Sequence, residues 1–78
     1  MKKKYLIQVL IEQDEDGRFI SSCPSLEGCY SQGDSFEEAI ANIRDVIEMC
    51  IKELEEEKKP FNPRYPEIVG IKHLEIAV

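Results

Sequence analysis

Chemistry in this chain would have to come from three sets of residues: the acidic run of Glu12, Asp14, Glu15 and Asp16, the cysteines Cys23, Cys29 and Cys50, and His73. Carboxylates hold divalent metals, but a two-metal nuclease needs acids that converge from separate elements. This run instead surrounds Asp16-Gly17 between two apolar stretches, which is a hairpin signal: Gly accepts positive φ and Asp bonds its own backbone. Solvated turn chemistry is therefore the expected role of these acids. The cysteines lack the paired C-x2-C spacing of a zinc site and read as buried or half-buried small apolar residues. His73, the only histidine, has no Ser or Cys near it in sequence to activate, so an ordinary surface or edge position is expected. Gly28 and Gly33 punctuate the chain and do not build a phosphate loop. Catalytic residues, cofactors and metal ligands are thus expected to be none.

The elements that position these residues follow from periodicity. Tyr5, Ile7, Val9 and Ile11 alternate with Leu6, Gln8, Leu10 and Glu12, predicting a first strand with one apolar face, placed centrally in its sheet. After the turn, Phe19, Ser21 and Cys23 share one face of a second strand and Arg18, Ile20 and Ser22 the other. Pro24 donates no hydrogen bond and stops it. A third short strand is predicted around Cys29 to Gln32, ended by Gly33-Asp34. Ser35 then caps a helix, with Glu38 completing a Ser-x-x-Glu capping box and Glu37 and Glu38 suiting the helix dipole.

Phe36, Ala39, Ile40, Ile43, Ile47, Cys50, Ile51 and Leu54 fall three and four apart and predict one apolar stripe against the sheet. Asp45, Glu48, Lys52 and Glu55 lie outward, with Glu48 and Lys52 spaced for an i,i+4 pair. The helix should run out through EEEKK before Pro60. Prolines 60, 63 and 66 mark an irregular crossover anchored by Phe61 and Tyr65. Ile68, Val69, Ile71, Leu74, Ile76 and Val78 predict a final strand returning beside the first. The expected fold is one α+β domain, residues 1–78, ordered β-β-β-α-β: a small antiparallel or mixed sheet with one long amphipathic helix on one face.

An acidic hairpin turn, DEDG, before a strand, followed by CPSLEGCYSQGDSFEEAI, resembles the HicB-like antitoxin family, whose members show a proline, a small loop, Gly-Cys, a polar Gly-Asp and a helix opening Glu-Glu-Ala. The resemblance implies a degenerate ribonuclease H-type core without catalytic carboxylates, and Ile7, Val9 and Ile11 stand here where such acids would be needed. It further implies an antitoxin that binds a small basic HicA-type messenger-RNA-cleaving toxin and occludes its active site. The alternative is a solitary homo-oligomeric protein without a toxin partner. Longer members append a DNA-binding segment, whereas this sequence stops at Val78, so direct operator binding is not expected.

Composition fits a basic protein partner. The net charge of −6 disfavours general nucleic-acid binding, which is led by Lys and Arg. Asp14, Glu15, Asp16, Glu37, Asp45 and Glu48 are the candidate partner-binding residues. A chain this short builds a core worth about 3 to 5 kcal/mol, so a homodimer or higher homo-oligomer is expected. MKKKY is not read as a signal peptide and no apolar run is long enough for a membrane span. With three cysteines and no secretion signal, a cytoplasmic setting is expected.

Overall fold

The computed structural model describes residues 3–78, so the Met1-Lys2 start of the MKKKY stretch lies outside it. Three antiparallel strands, β1 (Leu10–Gln13), β2 (Phe19–Ser22) and β3 (Tyr30–Gly33), form a meander in the order β1-β2-β3, and the helix α1 (Phe36–Glu56) follows. Leu10 stands opposite Ser22 and Ser22 opposite Tyr30, while Ile11, Ser21 and Ser31 form the next row. Directly opposed residues share a face. The Ser21 row faces the helix, because the buried Ser21 hydroxyl donates to the Ala39 carbonyl at 3.0 Å. That bond removes the penalty of burying a hydroxyl. The expected α+β class is what the chain adopts.

Helix α1 starts where the cap predicts it. Ser35 Oγ accepts from the Glu38 amide at 3.1 Å, whereas the return arm of the box reaches the Asp34 amide, at 3.4 Å, one residue before the cap. The helix ends earlier than the charge run suggests. Lys58, at φ 56°, takes the left-handed position that glycine usually fills, and the Lys58 and Lys59 amides bond back to the carbonyls of Glu55 and Leu54. This is a Schellman closure. The core holds Cys23, Leu26, Cys29, Ile43 and Ile47, with Ile7, Val9, Val46, Cys50, Ile51, Leu54 and Phe61 packed around it. Phe61 anchors the segment after the helix as expected, its ring 5.7 Å from that of Tyr5, whereas Tyr65, expected to anchor it too, is largely exposed; with no described strand beyond it, this segment is not a crossover.

Three expectations are corrected. No strand forms after the helix among the described residues: residues 69–78 are irregular and exposed throughout. Their β-branched side chains give them strand propensity, but propensity yields a strand only where a ladder partner takes up the backbone groups. Instead Gln8 meets Ile68, its Nε2 donating to the Ile68 carbonyl at 3.0 Å and its Oε1 accepting from the Ile68 amide at 2.6 Å. As a result β1 is an edge strand and β2 the central one. β1 is also shorter than its alternating pattern, since residues 3–9 have no ladder partner. Third, Glu48 and Lys52 form no ion pair; those among the described residues are Arg18–Asp34, Lys59–Glu57 and Arg64–Glu67.

Candidate partner-binding face

The hairpin turn is built by Asp14. Its carboxylate Oδ1 accepts from the Asp16 amide at 3.0 Å and the Arg18 amide at 2.9 Å, its backbone amide donates to the Arg18 carbonyl, and its carbonyl accepts from Gly17. Gly17 sits at φ 86°, which a side chain would resist. One of the three turn acids is therefore committed to the fold. Glu15 and Asp16 project into solvent with no side-chain partner among the described residues.

The turn stands at the same end of the molecule as the start of α1. Arg18 Nη1 approaches Asp34 Oδ1 at 3.4 Å, and the Phe19 and Phe36 rings meet edge to face at 6.4 Å. Asp14, Glu15, Asp16, Asp34, Glu37 and Glu38 gather there with Arg18 among them. Glu38 is occupied by its bond from the Asp34 amide, and Glu37 is exposed in the first helical turn. Asp45 and Glu48 are exposed on the outer helix face, about 12 and about 16 Å farther along the axis at 1.5 Å per residue. The candidates thus divide into an acidic end and an outlying helical pair. An exposed pair such as Arg18–Asp34 adds about 0 to 1 kcal/mol, so this end is a field of negative charge more than a stabilising network.

Beside it lies a surface the periodicity did not single out. Leu10, Ser22 and Tyr30 form one row and Glu12, Ile20 and Gln32 the next, on the sheet face turned away from α1. Leu10 and Ile20 are half-buried, and Tyr30 is 67% exposed. The available signal was Ile20, an apolar residue on the opposite parity from Phe19, Ser21 and Cys23. Aromatic residues with an apolar body and a polar tip are common anchors at protein interfaces.

The cysteines take the core positions expected of them: Cys23 and Cys29 are buried and Cys50 is half-buried, all as free thiols. Burial, helped by the neighbouring Cys50 and Cys23 thiols, pushes Cys29 up from 9.0 to about 12. A thiol held protonated is a poor nucleophile. Above pH 9 the unfolded chain releases a proton that folded Cys29 retains. Its contribution to stability is therefore complete below pH 9 and is lost towards pH 12, by at most about 1.4 kcal/mol per pH unit. Urea midpoints compared at about pH 8 and about pH 10 should show Cys29→Ala with a shallower alkaline decline than the parent. Equal declines would remove Cys29 as the cause. Among the described residues no cluster of His, Cys, Asp or Glu is placed to hold a metal ion, and His73 stands exposed in the C-terminal segment. No helix of the structure is long and apolar enough to cross a membrane.

Comparison with known proteins places relatives around this geometry. The profile described as "HicB_like antitoxin of bacterial toxin-antitoxin system" matches residues 7–73. A UPF0150 protein of Synechocystis sp. is 55% identical over 47 residues, covering 60% of this chain and 68% of the relative. A UPF0150 protein of Helicobacter pylori is 46% identical over 56 residues, 72% of this chain and 76% of the relative. One from Archaeoglobus fulgidus is 34% identical over 68 residues, 87% of this chain and 90% of the relative.

Proposed function

This chain belongs to the HicB-like antitoxin family of bacterial toxin–antitoxin systems, and from that membership we propose that it neutralises a small basic HicA-type toxin by covering the toxin's RNA-cleaving site. The observation that carries the reading beyond the family is the acidic end. There the turn acids and the first turn of α1 present negative charge next to a sheet face on which Leu10, Ile20 and Tyr30 stand among Glu12, Ser22 and Gln32. Complementary charge steers association and sets orientation, while buried apolar and backbone contacts hold the complex. The chain acts in this reading as a single domain in the cytoplasm, self-associated, without catalysis of its own and without direct DNA binding.

Charge reversal tests the steering. Glu15→Lys, Asp16→Lys, Glu37→Lys, Asp45→Lys and Glu48→Lys should each slow association with the product of the neighbouring toxin gene, and combining them should flatten its salt dependence. The acidic-end variants should act more strongly than those at Asp45 and Glu48. Asp14→Ala should instead destabilise the fold, by about 1 to 3 kcal/mol, through its lost turn bonds. Stopped-flow association rates that are unchanged across the lysine series would take these acids out of the interface.

A further inference from the structure

The two edges of the sheet are finished differently. Along β3 the helix lies close, and Asn42 Nδ2 donates to the Gln32 carbonyl at 2.8 Å. Along β1 no strand among the described residues takes the outer row of backbone groups, and Leu10-Ile11-Glu12-Gln13 carries neither the proline nor the lysine that commonly blunts an exposed edge. Helix α1 lies over β3 and β2, and the run leading into β1 packs Ile7 and Val9 against the core. Between that run and α1, Ile7, Val9, Ile40, Ile43, Ile47 and Ile51 form the apolar part of a groove of about 530 Å³, which Lys3, Lys4, Arg44 and Glu48 also line. None of residues 69–78 enters it.

The chain also carries a segment shaped for such a groove. From Gly70 onward, Leu74, Ile76 and Val78 alternate with His73, Glu75 and Ala77, the pattern of a strand with one apolar face. Leu74 is 71% and Ile76 70% exposed. The segment's root is fixed by the paired Gln8–Ile68 bonds beside the run that leads into β1. Beyond that root it leaves the body. The radius of gyration is 14.8 Å and the longest extent 51 Å, against a radius of about 11.5 Å for a compact chain of this length. Extended, residues 69–78 reach about 33 Å.

We propose that residues 69–78 form an exchange arm, which adds as a fourth strand to the free β1 edge of a second copy of this chain and seats Leu74, Ile76 and Val78 in that copy's groove. The second copy returns its own arm. The exchange supplies ladder partners to both the arm and β1 and covers Ile40 and Ile51, which the helix leaves half-buried. It is isologous, as two-fold dimers require. The proposal rests on the self-association part of the functional reading and is independent of the toxin.

Two measurements on the full chain test it. In a mixture of carbon-13-labelled and unlabelled protein, filtered NOE spectra should show intermolecular contacts from the Leu74, Ile76 and Val78 methyls to those of Ile40, Ile47 and Ile51. Sedimentation should show a dimer, and Leu74→Glu with Ile76→Glu should weaken it by about 100-fold or more with helical circular dichroism retained. His73→Ser, on the opposite arm face, should leave it intact. A dimer that persists in the double variant, or arm contacts that are only intramolecular, would overturn arm exchange while leaving self-association standing. A monomer at high micromolar concentration would overturn both.

Discussion

Gly33→Val is expected to remove about 3 kcal/mol or more of stability, enough to leave a domain of this size largely unfolded at room temperature. A Cβ at Gly33 would lie 2.7 Å from the Ala39 amide nitrogen and 3.0 Å from the Glu38 carbonyl carbon and Cβ. Two of those neighbours are helix backbone, so relief requires β3 and α1 to separate. That separation would also break the Ser21–Ala39 hydrogen bond, which joins the sheet to the same helical turn. Gly28→Ala is the control. Nothing lies within 4 Å of its Cβ, but φ is +74°, so only a backbone penalty of about 1 kcal/mol is expected. Urea unfolding followed by circular dichroism separates the two, and equal losses would show that the approach of strand to helix is not what demands glycine at 33.

The second large effect is at Ile43, which is 1% exposed and belongs to the buried cluster with Cys23, Leu26, Cys29 and Ile47. Ile43→Ala should cost about 2 to 5 kcal/mol, through lost transfer energy and the cavity left behind. Met49→Ala, on a side chain 63% exposed, should change stability by about 0.5 kcal/mol or less. If the two variants unfold at the same urea midpoint, the cluster around Ile43 is not the core.

Helix α1 was legible because two independent local signals agreed: a serine cap with Glu38 three residues on, and apolar residues at spacings of three and four. β2 was legible because Gly17 and Pro24 mark its limits, and β3 because Gly28 and Gly33-Asp34 bracket it. The last strand was misread because Ile71, Leu74 and Ile76 report an extended, half-apolar segment, and no local pattern states whether a ladder partner exists within the same chain. The central placement of β1 depended on that strand and fell with it. Leu26 escaped notice since it enters the core from the Pro24–Gly28 loop, where no periodicity applies. Gly33 was read as punctuation, although its requirement is a close approach between elements distant in character but adjacent in chain. Among the candidate acids, charge was readable and commitment was not: Asp14 and Glu38 spend their carboxylates on backbone amides, whereas Glu15, Asp16 and Glu37 do not.

The central claim is neutralisation by stoichiometric occlusion, and the most direct measurement is a titration of this protein into an RNA-cleavage assay of a HicA-type toxin. The account predicts that cleavage falls linearly and ends near one binding site per toxin, while the protein alone leaves the RNA intact with or without divalent metal. Undiminished cleavage at a large excess of folded protein, or metal-dependent cleavage by the protein itself that Asp16→Ala abolishes, would contradict it.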